Sequence, residues 1–539
     1  MSTRKTSENW SSRLGVIMAV AGSAVGLGNF LRFPGQAAQY GGGAFMIAYF
    51  ISLLIIGVSI CWAEWTLGRW GGRYGFHSSP GIFGALLRHP AARYVGIIGV
   101  IIPCGVYMYY VYIEAWCLGY AVQFLTGHLG SPEVDYPAHF AHFVGMNQDG
   151  FAIGLGLTQV GLFVIAVYAL NFYLIYRGLS RGIEMFCKFA MPALIAIALV
   201  IVVRVLTLGT PNPEFPERNV LNGLGFMWNP GNVGEQLANP QLWLAAAGQI
   251  FFSLSVGFGV ILTYASYLTD RDDIVLSGLT ATSANEFCEV GLGGLMTLPA
   301  AFIYLGSAGV AGGTFGLGFN VLPIVFANMP FGQVFGFLFF LLLFLAAVTS
   351  SLSMLQPGIA FLEEALGIGR RMSVTLLGMM TVTGTMFVWY YSKDLKALDT
   401  IDFWVGTFLI FVQGTILVIV FAWVIGTEKG FAEAHKGSTM RIPRVFGLVM
   451  KYLCPAFLLG IFFMWLGVNV LGWNASFSDP QFNPTGYTLD LVGSEEHPPS
   501  AVARLSVGMI VVMALFIGII THLAGRRWNA QSSTRGGAQ

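Results

Sequence analysis

The sequence predicts an all-α polytopic membrane protein of about 12 transmembrane helices, and three observations carry that expectation. Of its 539 residues, 55% are hydrophobic and only 10% charged, with a mean hydropathy of +0.70. A soluble core cannot hide that much apolar surface, so a bilayer is the solvent. Long apolar runs recur along the whole chain, each near the roughly 20 residues needed to cross about 30 Å of hydrocarbon. Two of those runs are interrupted by the same glycine pattern.

The runs centre near Ala19, Ile55, Tyr109, Ala166, Ala198, Leu254, Gly291, Phe340, Thr381, Leu417, Phe462 and Val512. Basic residues gather in alternate connectors. Arg4, Lys5 and Arg13 precede the first run, and Arg69, Arg73, Arg88 and Arg93 follow the second. Arg177 and Arg181 follow the fourth, Arg370 and Arg371 the eighth, and Arg526 and Arg527 the last. The stretches from Gly127 to Gly150 and from Asn474 to Ser500 carry acidic residues but no Lys or Arg. Cytoplasmic connectors retain Lys and Arg, so a multi-pass protein of the cell membrane with both termini cytoplasmic is expected.

Several classes are disfavoured by composition. A formal charge of +1 with scattered basic residues offers nothing to nucleic acid. Cys61, Cys104, Cys117, Cys187, Cys288 and Cys454 lie in apolar stretches without a C-x-x-C pair, which reads as free buried thiols. The histidines fall in connectors or at run ends, which argues against a haem enzyme. No G-x-x-x-x-G-K-[ST] loop is present to drive an ATP pump. The polar segment 1–12 runs into the first apolar stretch without a small-residue cleavage site.

The first run reads Ser23-Ala24-Val25-Gly26-Leu27-Gly28 and the sixth Leu254-Ser255-Val256-Gly257-Phe258-Gly259. Glycine costs about 1 kcal/mol against alanine in a helix interior. Close helix packing explains one such cluster, but two matched clusters five runs apart point to inverted repeats with broken helices. The expected organisation is a cytoplasmic segment 1–12, a first repeat with its outer loop 13–240, a second repeat 241–426, two added helices 427–525, and a tail 526–539. A break at mid-membrane frees amides for an anion and carbonyls for a cation, so two breaks side by side suit a zwitterionic α-amino acid. The polar residues nearby, Asn29, Ser253, Ser255, Asn285 and Thr349-Ser350-Ser351, are neutral oxygen carriers that suit an alkali cation.

Four stretches carry a family resemblance: Gly26-Leu27-Gly28-Asn29-Phe30-Leu31-Arg32-Phe33-Pro34, Gln249-Ile250-Phe251-Phe252-Ser253-Leu254-Ser255, Asn285-Glu286, and Asp402-Phe403-Trp404. Through them the chain resembles the neurotransmitter:sodium symporter family, and especially its bacterial leucine-transporting branch. The resemblance implies a secondary active symporter, not an enzyme, with alternating access around a central site. It implies two sodium ions. One would be held by the Ala24 carbonyl, Asn29, Ser253, Asn285 and the substrate carboxylate. The other would use carbonyls of Gly22, Val25 and Ala346 with the hydroxyls of Thr349 and Ser350.

By the same resemblance the substrate carboxylate meets Gly26, Leu27, Gly28 and the Tyr110 hydroxyl, and its ammonium meets carbonyls of Ala24, Phe252 and Ser255. Ser253 and Ser350 border both ion and substrate. The side chain would lie among Val106, Phe252, Ser255, Phe258 and Met354, which favours a small to medium hydrophobic amino acid. Arg32 and Asp402 are expected as an outer gate with Gln249 assisting, and Glu364 with Tyr267 as part of an inner gate. The family's inner-gate Arg is replaced here by Ser7, leaving Arg4 or Lys5 as substitutes.

Glu286 and Glu289 stand one turn apart in the seventh run, a costly arrangement in a membrane. Chloride-dependent relatives have a neutral Ser where this chain has Glu289, so a fixed carboxylate in place of bound chloride is expected, with proton antiport on the return step. Glu64 and Glu114 read as polar contacts between packed helices. The partners implied are an amino acid, sodium, the bilayer and a second copy in a homodimer. An ion channel and a non-transporting amino-acid sensor are the alternative readings.

Overall fold

In a bilayer a backbone can satisfy its own polar groups only as helix or closed barrel, and this chain takes the helical route. The computed structural model describes residues 10–309, 313–475, 478–484 and 486–536, and nine helices among them are long and apolar enough to cross a membrane. These are Gly43–Arg73, Ala92–Leu125, Leu179–Leu206, Ile274–Gly306, Gly332–Leu366, Arg370–Tyr390, Lys393–Ala434, Val445–Val470 and Ala501–Gly525, corresponding to runs 2, 3, 5 and 7 to 12. Run 4 forms Gly161–Tyr176, an apolar helix of 16 residues. Runs 1 and 6 are broken, as their glycines predict.

Span 1 consists of Arg13–Ala24 and Gly28–Gln39, bent by 45° at the break. Span 6 consists of Pro240–Leu254 and Val260–Ala265. Its connection puts Ser255, Gly257 and Gly259 at φ +52°, +77° and +78°. Two of these left-handed positions are glycine because a Cβ would be strained there. At Gly259 a Cβ would also stand 2.3 Å from the carbonyl oxygen of Gly99 on span 3. Ser255 is the exception, and its hydroxyl donates to the Ser23 carbonyl of span 1 at 2.8 Å, tying the two breaks together.

Spans 3 and 8 pair most extensively and form the scaffold against which the broken spans lie. Span 3 is 89% buried over its most apolar window, whereas span 12 is 28% buried and presents Leu505, Val512, Leu515 and Ile519 outward to lipid. The first half of span 1 packs on spans 5, 7 and 8, and the second half of span 6 on span 2. All six cysteines are free and buried, in line with the sequence.

At the end of span 1 where Trp10 and Arg13 lie, Asp273 caps span 7 by accepting from the Leu276 amide at 2.9 Å. It also accepts from Ser438 at 3.0 Å and from the Thr439 amide at 2.8 Å. Burial raises its pKa, but the bonds from Thr439, Leu276 and Ser438 outweigh burial and hold the carboxyl at about 2. A carboxylate so depressed stabilises the fold above about pH 4 and loses that contribution as pH falls toward the folded value. Asp273→Ala is expected to cost about 1 kcal/mol at neutral pH. Thermal unfolding in detergent between pH 7 and pH 2 checks this, with the gap to wild type closing at the acid end.

Candidate functional site

The breaks face a cavity of ≈ 270 Å³, reached from both halves of span 1, from spans 3, 6, 8 and 10, and from Thr314 and Phe315 at the start of the apolar helix Gly313–Asn328. Of the residues expected at the substrate, Ala24, Gly26, Leu27, Gly28, Val106, Tyr110, Phe252, Ser255, Phe258, Ser350 and Met354 all line it. Ser253 does not, and lies behind the wall within the ion-ligand set. Tyr110 accepts from the Leu27 amide at 3.4 Å, which places its hydroxyl at the break of span 1. Gly26 is required for space as much as for its backbone, because a Cβ there would come within 2.7 Å of Ser350 Oγ and 3.0 Å of Tyr110 OH.

Three side chains expected in the first sodium-ligand set, Asn29, Asn285 and Ser253, lie together. Asn29 Oδ1 accepts from the Gly26 amide at 2.8 Å, and Asn29 Nδ2 donates to Asn285 Oδ1 at 2.8 Å. Asn285 Nδ2 in turn donates to Ser253 Oγ at 2.5 Å. Each of the three side chains is fully or almost fully buried, and neutral oxygens in a dry setting fit a hard monovalent cation. The second expected set is also brought together. Thr349 Oγ1 donates to the Ala346 carbonyl at 2.9 Å, and Ser350 Oγ reaches the carbonyls of Gly22 at 3.4 Å and Ser23 at 3.1 Å. Val25 closes the first half of span 1 through its amide on Ala21 O and leaves the helix at ψ 94°, which frees its own carbonyl from the helical ladder.

Glu289 lies directly behind the first set. Its carboxylate accepts from Gln249 Nε2 at 2.5 Å, Tyr49 OH at 2.9 Å, Asn285 Nδ2 at 3.1 Å and the Ser253 hydroxyl. Tyr49 also reaches Glu286 at 2.9 Å. Gln249 therefore faces Glu289, whereas the sequence assigned it to the outer gate. Arg32 and Asp402 both border the cavity without an ion pair between them within 4.0 Å. Arg32 instead stacks on Phe252 with its guanidinium carbon 3.9 Å from the ring centre, and Asp402 accepts from Tyr109 OH at 2.5 Å.

At the opposite end, Glu364 accepts from the amides of His77 and Ser78 at 2.8 and 3.0 Å and from Ser78 Oγ at 2.9 Å. Tyr267 accepts from Gln356 at 3.2 Å and stacks on His77. Arg4, Lys5 and Ser7 lie outside the described residues. The end of span 1 is held by Trp10 Nε1 on the Tyr264 carbonyl at 3.2 Å and by the Ser11 amide on Glu184 at 2.8 Å. Glu114 packs with Asn171 between spans 3 and 4, as expected, and Asn171 also bonds Ser351 of span 8 at 3.0 Å. Sequence reasoning missed Tyr49 and Tyr109, which carry no motif and acquire meaning only beside carboxylates far along the chain. It also missed Ser23, whose place next to Ala24 in the first break was a usable signal.

A model of the Sodium:neurotransmitter symporter family matches residues 7–138 and 140–520. The chain belongs to this family. It is 30% identical over 457 residues to an uncharacterized sodium-dependent transporter of Methanocaldococcus jannaschii, covering 83% of this chain and 87% of that one. It is 25% identical to the sodium-dependent serotonin transporter of Drosophila melanogaster over 528 residues, 89% of this chain and 79% of that one. Among solved structures it resembles MhsT in complex with L-phenylalanine, with a TM-score of 0.73, 28% identity, and coverage of 85% of this chain and 99% of MhsT. The protein is thus a multi-pass membrane transporter of a sodium-dependent family and not an enzyme.

A methyl group at Gly26 fills the cavity between Ser350 and Tyr110. Gly26→Ala is expected to weaken amino-acid binding by about tenfold or more while leaving the melting temperature within a few degrees. Equilibrium binding of radiolabelled amino acid at saturating sodium, alongside thermal unfolding, checks both halves.

Proposed function

We propose that this protein imports a small to medium hydrophobic amino acid together with two sodium ions by alternating access, without chloride. The observation that carries the reading is the Glu289 carboxylate, held by Tyr49, Gln249, Ser253 and Asn285 against the Asn29–Asn285–Ser253 set. A fixed negative charge beside a cation site does the work of a bound anion, because cation and carboxylate offset one another where neither is well solvated. Ser253 and Asn285 join the carboxylate directly to the ion ligands, so the two sites cannot change independently. On the return step with no cation bound, a proton on Glu289 replaces the lost charge and leaves by antiport.

The first ion would sit among the Ala24 carbonyl, Asn29, Ser253 and Asn285 and share the substrate carboxylate. The second would sit among carbonyls of Gly22, Val25 and Ala346 and the hydroxyls of Thr349 and Ser350. A ligand shared between ion and substrate makes each raise the affinity of the other by the same factor. Arg32 and Asp402 would close the outer mouth, and Glu364 and Tyr267 would help close the inner one. The organisation would be two inverted repeats, 13–240 and 241–426, with both termini cytoplasmic; a homodimer is compatible with it. L-phenylalanine in MhsT supports the class of substrate. Voltage is a source of energy: each charge crossing about 100 mV releases about 2.3 kcal/mol, so two sodium ions with a neutral zwitterion support accumulation on the order of a thousandfold, part of which a proton returning outward cancels.

Uptake into proteoliposomes tests the reading. Replacing sodium by potassium is expected to abolish accumulation, and replacing chloride by gluconate to leave it unchanged. Glu289→Ser is expected to make uptake chloride-dependent and insensitive to an outward proton gradient. Loss of uptake without chloride in the wild type, with no effect of Glu289→Ser, would overturn it. Asn29→Ala and Thr349→Ala are each expected to raise the sodium concentration for half-maximal binding about tenfold and to weaken the amino acid with it.

A further inference from the structure

The floor of the cavity, at the end away from Arg32 and Asp402, is built from hydroxyls whose hydrogens are all committed elsewhere. Ser353 Oγ donates to the Ser350 carbonyl at 2.6 Å. Its one hydrogen is spent there, so in the 2.7 Å contact between Ser23 Oγ and Ser353 Oγ the donor is Ser23. Ser255 Oγ likewise spends its hydrogen on the Ser23 carbonyl at 2.8 Å. Ser23 and Ser255 both line the cavity, while Ser353 stands behind them and is buried. Two serines therefore border the cavity with hydroxyls that keep lone pairs but have no hydrogen to give.

An oxygen of this kind is neutral toward an aliphatic group, accepts from an N–H or O–H, and is mismatched with another acceptor. From this polarity we infer that Ser23, oriented by Ser353, selects among hydrophobic amino acids for those whose side chain carries a hydrogen-bond donor, such as a phenol O–H. The inference rests on the reading of this cavity as the amino-acid site. Ser23 acts as the specificity residue. Ser353 is a positioning residue, because it receives the Ser23 hydrogen and keeps the acceptor lone pairs turned to the substrate.

Competition against sodium-driven uptake of radiolabelled leucine by reconstituted protein provides the test, with tyrosine matched against O-methyltyrosine. Tyrosine is expected to compete about three- to tenfold better than its methylated partner. Phenylalanine, which has neither donor nor added methyl, separates the hydrogen bond from the bulk of the methyl and is expected to fall below tyrosine. In Ser23→Ala the tyrosine-to-phenylalanine preference, read as a ratio of inhibition constants so that any change common to all amino acids cancels, should collapse toward one. In Ser353→Ala the freed Ser23 hydrogen turns toward the cavity, and the same preference should shrink or invert. Equal competition by tyrosine and phenylalanine in the wild type, or an unchanged ratio in Ser23→Ala, would overturn the inference. A uniform loss for every amino acid in Ser23→Ala would also overturn it, by assigning the serine to the common ammonium. Absence of any sodium-driven amino-acid uptake would instead strike the proposed function beneath it.

Discussion

A backbone amide or carbonyl left unpaired in hydrocarbon costs several kcal/mol, and the two interrupted helices at the centre of this protein exist only because that demand is met from neighbouring spans. The Gly26 amide is taken by Asn29, the Leu27 amide by Tyr110 of span 3, and the Ser23 carbonyl by hydroxyls from spans 6 and 8. The break of span 1 is thereby stitched to three other elements. A rigid pair of scaffold helices is needed to hold those partners in register, and spans 3 and 8 provide it. The 89% burial of span 3 over its most apolar window follows from this duty, whereas an outer helix such as span 12, 28% buried, need only be apolar toward lipid.

The same stitching creates a line of communication. Hydrogen bonds run from the Gly26 amide through Asn29, Asn285 and Ser253 to Glu289 without leaving the protein interior. Every link is an oxygen or amide that a cation, a substrate carboxylate or a proton would compete for. Occupancy of one position must rearrange the donors at the next, because each amide has a fixed number of hydrogens to distribute. In the proposed mechanism this network couples ion, substrate and carboxylate through adjacent hydrogen bonds.

The two ends of the cavity differ in how they are held. On one side Arg32 rests on Phe252 and Asp402 on Tyr109, so the two charges that border the mouth are each occupied by an aromatic partner. On the other, Trp10, Ser11 and Glu184 clamp the start of span 1 against spans 5 and 6, and Glu364 caps a short helix through two amides. One aromatic contact and one hydrogen bond are fewer restraints than the several partly buried bonds at the other end. That contrast puts the looser bonding at the Arg32 and Asp402 end.

Much of this was legible in the chain alone. Apolar runs of about 20 residues determined a helical membrane protein, and the duplicated glycine clusters located both breaks, through left-handed backbone at Gly257 and Gly259 in span 6 and through the close approach of Ser350 and Tyr110 to Gly26 in span 1. The chemistry of Asn29, Ser253, Asn285 and Thr349-Ser350 followed from residue type and family pattern, and those side chains do converge. What the sequence could not decide were pairings made across hundreds of residues: Tyr49 on Glu289, Gln249 turned from the mouth to the carboxylate, Tyr109 on Asp402, and the Ser23 and Ser353 hydroxyls joined at the cavity floor. The physical reason is the same in each case. Hydropathy and helix breaks are properties of consecutive residues, whereas the direction of a hydrogen bond depends on which donor the packed spans bring within about 3 Å of which acceptor.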